Sequence, residues 1–335
     1  MTVTIKDVAE LSGYSQSTVS LALNNKKNVK DKTRKEIIEA AEKLNYKPNK
    51  IAQSLASNKS NNISVIISGP KYEYLSSPLL FEVIKGISEI MEDSDYNLVL
   101  NTTTEEKEYE FIKSKINSKD TDGIILWGTR MSEEKFIELC TGDKPVVSIG
   151  RYSKNANLYS VRVDEFKGGY LATKHLLELG HRKIIYLGAL KEISSAQERL
   201  EGYKKALKEY NLEINNKFII ESDFYQKEGY EAMNKILADD SIDITAIFAA
   251  SDLMGIGAMK SILERNISIP EDIALVGFDN IPNADVLLIP LSTIDTPIGE
   301  LGKKAILKLF DLIKKKEDVE YNTELDVKLI RRKST

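Results

Sequence analysis

The chain has 335 residues, of which 42% are hydrophobic and 29% charged, and its formal net charge is -4 at pH 7. This composition indicates a globular protein, and the length suggests two or three domains with a sizeable core. No apolar run approaches the roughly 18 residues of a membrane-spanning helix, and the polar start predicts no signal peptide. With Cys140 as the single cysteine, no intrachain disulfide can form. We therefore expect a cytoplasmic protein without a membrane partner.

Charge is unevenly distributed along the chain. Residues 1–60 hold eleven Lys or Arg against six Asp or Glu, a charge of +5 that leaves -9 for the remainder. A cationic segment on an acidic body suits a polyanionic partner that this segment alone contacts. Charge by itself equally describes a solvated basic surface.

The first 60 residues contain three short helical patterns. Thr4 and Asp7 form a capping-box pattern at the start of the first, which ends at Gly13. The second is predicted from Ser15 to about Asn24 and the third from Lys32 to Asn45. Three small helices with a tight turn between the first two predict a helix-turn-helix unit.

The beginning of the second helix carries small polar side chains. Ser15, Gln16 and Ser17 can approach phosphates and base edges there, because free backbone amides and the helix dipole favour an anion. Gln can pair bidentately with adenine, and Ser can bond to several bases. A small helical module that binds protein is the alternative.

Four motifs extend this pattern. They are ThrIleLysAspValAla at 4–9, SerxxThrValSer at 15–20, AsnTyrxProAsn at 45–49 and AlaxxLeuAla at 52–56. In this order and spacing the chain resembles the lactose/galactose repressor family of bacterial transcription regulators. Most members of that family have Arg where this chain has Leu21. Because Arg is the usual reader of guanine, we expect the operator half-site to differ at the facing base pair.

A short segment, Asn49 to Ser57, follows the head. It is too short to be a stable helix alone. The resemblance implies that it folds on operator DNA, where Leu55 and its dimer mate wedge into a minor-groove step. Without the resemblance, Leu55 can instead pack on the body. The residues predicted to contact DNA are Thr4, Ser15, Gln16, Ser17, Ser20, Leu21, Asn24, Tyr46, Asn49, Ala52, Gln53 and Leu55.

From Ile63 onward, apolar strand patterns alternate with amphipathic helices, which predicts parallel sheets covered on both faces. Ten strand candidates exceed one comfortable sheet, so two lobes are expected. The predicted fold is an all-α helix-turn-helix head plus an α/β body with two doubly wound parallel sheets. The resemblance implies that the body is like a periplasmic binding protein, with a cleft at the carboxyl ends of the strands.

The predicted domains follow these patterns. The helix-turn-helix domain covers residues 1–48, the hinge and linker 49–60, and the effector-binding and dimerisation domain 61–335. A polar break near 151–159 and an implied return crossing near Pro290 set the lobes. The N-lobe is predicted over about 61–158 and 292–325, and the C-lobe over about 159–290.

Several predicted strands end in residues that a scaffold does not need. A guanidinium at Arg199 and a carboxylate at Asp279 can bond vicinal sugar hydroxyls, while Phe224 or Trp127 stacks on the sugar. A structural ion pair is the alternative, and helix N-capping is the favoured role for Asp252 and Asp164. The resemblance implies effector binding by ArgLeuxGly at 199–202 and GlyPheAsp at 277–279. The predicted effector-binding residues are Phe81, Trp127, Arg151, Arg199, Phe224, Ser251 and Asp279.

Two positions depart from the family pattern. Ser251 stands where Asn is common, and Gly150 precedes Arg151 where Asp is frequent. Two partners for sugar hydroxyls are therefore altered, and the identity of the effector stays open.

Nothing in the sequence indicates an enzyme. His175 and His181 are the only histidines, and their spacing does not suit a metal pair on one helical face. Walker-type, GxSxG and CxxC motifs do not occur, so no metal and no cofactor are predicted.

Together these patterns predict a dimeric, ligand-responsive repressor of a carbohydrate-use operon that binds a pseudo-palindromic operator. Three alternatives remain open. A nucleobase or a phosphorylated carrier protein can replace the sugar as a corepressor. Less favoured is a cytoplasmic solute-binding protein whose head binds protein.

Overall fold

The computed structural model describes residues 3–23, 28–46, 59–69, 75–188, 193–239 and 242–335. The chain divides into two compact units, Met1–Ser60 and Asn61–Thr335. Among the helices of these described ranges, none is both long and apolar enough to cross a membrane.

The first unit is helical. Its helices are α1 (Ile5–Ser12), α2 (Gln16–Leu23) and α3 (Asp31–Lys43). The predicted capping box forms at α1, where the Thr4 backbone N–H and hydroxyl donate to Asp7 Oδ2 at 2.7 and 2.8 Å. Gly13 ends the helix with φ 72, a left-handed conformation that glycine adopts at little cost. The core of this unit consists of Val8, Val19, Ala22, Val29, Ile37, Ala40 and Ala41.

The second unit contains two six-stranded sheets. The first sheet has the order β11-β5-β4-β3-β1-β2, with every pair parallel. Its strands are β1 (Asn62–Gly69), β2 (Asn97–Thr104), β3 (Gly123–Trp127), β4 (Val146–Ile149), β5 (Ser160–Val163) and β11 (Asn322–Leu325). The helices that belong with it are α4 (Pro78–Met91), α5 (Glu108–Asn117), α6 (Glu133–Cys140) and α11 (Ile298–Ile313). We call this part the first lobe.

The second sheet has the order β12-β10-β9-β8-β6-β7, parallel except for β12, which runs antiparallel to β10. Its strands are β6 (Ile184–Leu187), β7 (Ile219–Ile220), β8 (Ala246–Ala249), β9 (Ala274–Asp279), β10 (Ser292–Asp295) and β12 (Lys328–Ile330). Its helices are α7 (Glu165–Glu178), α8 (Ser194–Glu209), α9 (Gln226–Leu237) and α10 (Asp252–Leu263). We call this part the second lobe.

Most inner strands are buried along their whole length, as expected for parallel sheets with helices on both faces. The predicted fold class of a helical head and a two-sheet α/β body is therefore confirmed. All ten predicted strands are present with small shifts of their ends. β11 and β12 were not predicted, because they are short, carry charged residues and lie at sheet edges.

The predicted lobe boundaries differ from the observed ones. The polar segment 151–159 does not cross between lobes, because β5 returns to the first sheet and pairs with β4 through Ser148 and Ser160. Likewise, β10 belongs to the second sheet rather than to the first. The chain instead crosses at Asp164, between β10 and α11, and between β11 and β12. Strand–helix alternation does not reveal which sheet a strand joins, and this caused both errors.

Helices α7 and α8 approach each other closely at Gly202. A Cβ atom there would lie 2.2 Å from the Phe166 carbonyl oxygen and 2.5 Å from the Tyr170 nitrogen. We expect Gly202→Ala to lower the free energy of unfolding by ~1–3 kcal/mol, because overpacking outweighs the helix propensity of Ala. Urea unfolding of the whole chain measures this. Gly299→Ala is the matched control, because its Cβ would meet nothing nearer than Glu82 O at 3.8 Å. Equal stability of the two variants would contradict the prediction.

Candidate functional site

The beginning of α2 presents polar side chains to solvent. Ser15, Gln16 and Ser17 are all exposed. The Thr18 backbone N–H donates to Ser15 Oγ at 3.2 Å, and Ser15 Oγ also lies 2.8 Å from Ser17 Oγ. These bonds fix the two serine hydroxyls at the helix N-terminus and leave the Gln16 side chain projecting from it. The first turn of α2 is therefore accessible to an anion or a base edge.

Farther along the same helix, Leu21 is 41% exposed while Val19 and Ala22 are buried in the core of the head. Ser20 is half-buried beside it, Thr4 is exposed, and Tyr46 is half-buried. An exposed apolar residue on this surface can contact a thymine methyl group but cannot pair with guanine as Arg does. The remaining predicted DNA contacts, Asn24, Asn49, Ala52, Gln53 and Leu55, lie outside the described residues.

Side chains of α3 hold the helix-turn-helix arrangement. The Arg34 guanidinium donates to the Ala22 carbonyl oxygen at 2.9 Å, near the end of α2. The Tyr14 hydroxyl, in the turn between α1 and α2, donates to the Glu36 carboxylate. Both ends of α2 are thus tied to α3, which fixes the direction in which Gln16 and Leu21 project.

A cleft of about 890 Å³ lies between the two lobes of the second unit. Residues that follow the carboxyl ends of strands in both sheets line it, as expected for doubly wound sheets. Six of the seven predicted effector residues line this cleft: Trp127, Arg151, Arg199, Phe224, Ser251 and Asp279. Phe81 does not. It is 67% exposed on α4, whose neighbouring residues Leu80 and Val83 take the buried face, so the structure does not place Phe81 at the cleft.

Arg199 lies on α8 at the floor of the cleft and is almost fully buried. Its Nε donates to Glu165 Oε2 at 2.6 Å, its Nη1 donates to the Ala250 carbonyl oxygen, and its Nη2 lies 3.9 Å from Asp279 Oδ1. The guanidinium also stacks 3.7 Å from the centre of the Phe278 ring. Burial disfavours the charge, but the two carboxylates outweigh burial and raise the pKa of Arg199.

Asp279 ends β9 and faces the same cleft. Its φ is 113, a value that residues other than glycine rarely adopt and that is typical of functional sites. Burial raises the pKa of its carboxyl well above the usual value, although Arg199 acts in the opposite direction. The carboxyl therefore gains a proton more easily than an exposed aspartate does, and it can serve as donor or acceptor toward a ligand.

Ser251 lines the cleft, and its hydroxyl also has two partners within the protein. Its hydroxyl caps α10 by accepting from the Met254 N–H at 3.1 Å, and it donates to the Phe224 carbonyl oxygen at 2.7 Å. The proton of the hydroxyl and one of its two acceptor lone pairs are therefore used within the protein. Ser251 holds the backbone of Phe224, whose ring centre lies 5.6 Å from the Arg199 guanidinium. The aromatic side chain is thus positioned beside the guanidinium–carboxylate pair.

Asp252 was predicted to cap α10, but Ser251 is the residue that caps this helix. Its buried carboxylate instead accepts from the Ile281 N–H at 2.9 Å and from the Thr293 hydroxyl at 2.6 Å. These bonds fix the loop that follows Asp279. Asp164, by contrast, caps α7 as predicted, accepting from the Lys167 N–H at 2.8 Å.

Asp252 predicts a pH dependence of stability. Burial raises its pKa to about 7 in the folded protein, against the lowering effect of its hydrogen bonds. The pKa of Asp252 is higher in the folded protein than in the unfolded chain. Its contribution to the free energy of unfolding is therefore present at low pH and is lost as pH rises through about 7. We expect Asp252→Asn to become more stable relative to wild type between roughly pH 5 and pH 8. Parallel urea titrations measure this difference, and a constant difference across that range would contradict it.

Two arginines line the loop side of the cleft, and only one of them was predicted from the sequence. The predicted Arg151 packs its guanidinium 4.3 Å from the centre of the Phe136 ring and donates to the Met131 carbonyl oxygen at 2.7 Å. It therefore supports the loop after β3. Arg130 in that loop was not predicted, although it lines the cleft.

His and Cys side chains often carry the chemistry of enzymes, and here the two histidines each lie next to a threonine hydroxyl. His175 Nε2 lies 3.0 Å from the Thr335 hydroxyl, and His181 Nδ1 lies 3.0 Å from the Thr245 hydroxyl. Burial raises the pKa of the Cys140 thiol to about 12, which disfavours the thiolate. Within the described ranges no group of three or more His, Cys, Asp or Glu is arranged to hold a metal ion.

A helix-turn-helix unit followed by a two-lobe α/β body with an interlobe cleft defines the class of two-part transcription regulators. The family model for bacterial regulatory proteins of the lacI family matches residues 4–49, and a model for a periplasmic binding protein-like domain matches residues 173–335. The chain belongs to the lacI family of bacterial regulatory proteins, which confirms the resemblance.

Three similar proteins cover almost the whole chain. The HTH-type transcriptional repressor PurR of Pasteurella multocida is 33% identical, with 99% of this chain and 98% of PurR aligned. A lac repressor dimer bound to operator and the anti-inducer ONPF is 28% identical, with 100% and 99% of the chains covered and a TM-score of 0.87. The transcriptional regulator CelR in complex with cellobiose is 26% identical, with 99% and 100% covered and a TM-score of 0.77.

Proposed function

We propose that this regulator is a homodimeric repressor in the cytoplasm that binds a pseudo-palindromic operator and responds to a small molecule in the interlobe cleft. For that molecule we propose a nucleobase-type corepressor. The Phe224 ring beside the paired Arg199 and Asp279 is the observation that carries this choice. A planar base can stack on the ring while its edge, which carries donors and acceptors, bonds the buried polar groups.

Two further observations support a base. The relative from Pasteurella multocida, which aligns with almost the whole chain, bears the name repressor PurR. In addition, burial raises the pKa of Asp279, so its carboxyl can donate or accept a hydrogen bond and can match either type of group on a heterocycle. The DNA-binding part of the proposal is supported by the exposed Gln16 and Leu21 on α2.

A sugar is the second candidate. The similar regulator CelR is known in complex with cellobiose, and a guanidinium beside a carboxylate also suits vicinal hydroxyls. Against this, the Ser251 hydroxyl already donates its proton within the protein, so it cannot donate a hydrogen bond to a sugar. A phosphorylated carrier protein has no comparable support among the contacts of the described residues. A solute-binding protein with a protein-binding head does not fit a family of DNA-binding regulators.

The proposal is tested by thermal unfolding of the full chain with a panel of free bases, sugars and sugar phosphates. The responding compound is then added to gel shifts with DNA from the promoter of the chain's own gene. A corepressor raises the melting temperature and strengthens the specific band. If only sugars stabilise the protein, and if they weaken the specific band in the gel shift, the effector is a sugar inducer and not a base. If no specific band forms under any of these conditions, the proposal that the protein represses its own promoter region is rejected.

A further inference from the structure

One arginine of the cleft is already paired across it. Arg130 lies in the loop after β3 of the first lobe, and Asp223 follows β7 of the second lobe. Arg130 Nη1 donates to Asp223 Oδ2 at 3.0 Å and Nη2 donates to Oδ1 at 2.8 Å. Two parallel bonds of this kind form the strongest arrangement available to a guanidinium and a carboxylate. The pair therefore joins the two lobes, with Arg130 on the lining of the cleft.

The pair is also shielded from water. The side chains of Arg130 and Asp223 are only 16% and 21% exposed. Burial disfavours the charge on Arg130, but the Asp223 carboxylate, with a smaller contribution from Glu105, outweighs burial and raises the pKa of the guanidinium. A ligand anion that took the place of Asp223 would leave a largely buried carboxylate without its cation, which is strongly unfavourable. Arg130 is consequently held by carboxylates of the protein itself, by Asp223 through two bonds and by Glu105, whose Oε1 lies 3.5 Å from Arg130 Nε.

Asp223 connects this pair to the ring of the candidate site. Its Oδ1 also accepts from the Phe224 N–H at 2.8 Å. Displacing Asp223 would therefore disturb the backbone that presents Phe224. An anion that bound Arg130 would therefore break the Arg130–Asp223 ion pair and disturb the Phe224 ring on which a base stacks.

The other arginines on the described cleft lining are similarly engaged. Arg199 bonds Glu165, and Arg151 bonds the backbone after β3. Lys154 also lines the cleft, but it is exposed to solvent, so it contributes little to anion binding. Of these cations, Arg130 and Arg199 are paired with carboxylates, Arg151 is held by backbone carbonyl oxygens, and Lys154 is solvated.

We propose that the Arg130–Asp223 pair is a specificity determinant, which reserves the cleft for uncharged effectors and rejects phosphorylated or otherwise anionic ones. The inference rests on the proposed effector site in the cleft. It goes further than the choice between a base and a sugar, because it excludes nucleotides and sugar phosphates alike.

The test uses inorganic phosphate as the probe and titration calorimetry of the full chain against chloride at matched ionic strength. Asp223→Asn keeps an oxygen for the Phe224 N–H but removes the bidentate carboxylate from Arg130, which then keeps only the longer contact with Glu105. We expect no saturable binding of phosphate to wild type below ~10 mM and at least ~10-fold tighter binding to Asp223→Asn. Asp243→Asn is the matched control, because it removes the same charge from an exposed pair with Lys183. Adding Arg130→Gln to Asp223→Asn should abolish the gain.

Millimolar binding of phosphate to wild type, or no gain in Asp223→Asn, would overturn the proposal. A second titration compares guanine, hypoxanthine and adenine with their 5′-monophosphates. Wild type should prefer the free base, and Asp223→Asn should narrow that preference. If no base binds, the proposed corepressor class fails, while the phosphate titration still decides the role of the pair.

Discussion

Arg199→Ala should lower the free energy of unfolding of the body by about 3–5 kcal/mol, the usual cost of removing one partner from a buried ion pair. The variant leaves the Glu165 and Asp279 carboxylates buried near each other without their cation, and it removes the stacking partner of Phe278. Because Asp279 already has a raised pKa, it can relieve part of the cost by taking a proton. The loss should therefore be smaller at about pH 5.5 than at about pH 8.

Lys205→Ala provides the matched control on the same helix. Its partner Glu209 and its own side chain are both exposed, so the expected loss is much smaller than that of Arg199→Ala. Urea unfolding at the two pH values measures both variants. Adding Glu165→Gln to Arg199→Ala should recover part of the loss, since one unpaired charge is removed. If Arg199→Ala proved as mild as Lys205→Ala, the buried cluster would not be an energetic centre of the second lobe.

The order of helices and strands could be predicted because short stretches of sequence determine it. Strand–helix alternation and the capping pattern at Thr4 and Asp7 are written into short stretches, and both are confirmed. Lobe membership is a matter of long-range pairing, which short stretches do not encode. The same limit explains why β5 and β10 were assigned to the wrong lobes.

The candidate site could be predicted only in part, for a similar reason. Arg199 was recognisable from the ArgLeuxGly motif at 199–202, and Asp279 because it ends a predicted strand and completes the GlyPheAsp motif. Arg130 and Asp223 follow strands too, and that position was a usable signal, but they lie 93 residues apart and look like ordinary loop charges. Ser251 illustrates the other side of this limit. Its position at a strand end was right, yet its hydroxyl is turned to the helix and to the Phe224 backbone.

Gln16→Ala should weaken binding to the specific operator by about 1–3 kcal/mol and leave most non-specific binding intact. Gln16 is exposed at the beginning of α2, between serines whose hydroxyls bond each other, so it is the long side chain there that can reach a base edge. Its amide can pair bidentately with adenine, and Ala removes both bonds without changing charge. The electrostatic attraction to phosphates, which dominates non-specific binding, is therefore retained.

The measurement is a pair of binding titrations at one salt concentration, with operator DNA and with a scrambled duplex of equal length. Glu39→Ala, an exposed position on α3 away from the beginning of α2, is the matched control and should keep the wild-type ratio of the two affinities. Leu21 sharpens the outcome, because an apolar neighbour provides no bond to guanine that could mask the loss of Gln16. Equal losses on both duplexes would assign Gln16 to the phosphate backbone, and sequence reading would then depend on Ser17, Ser20 and Leu21.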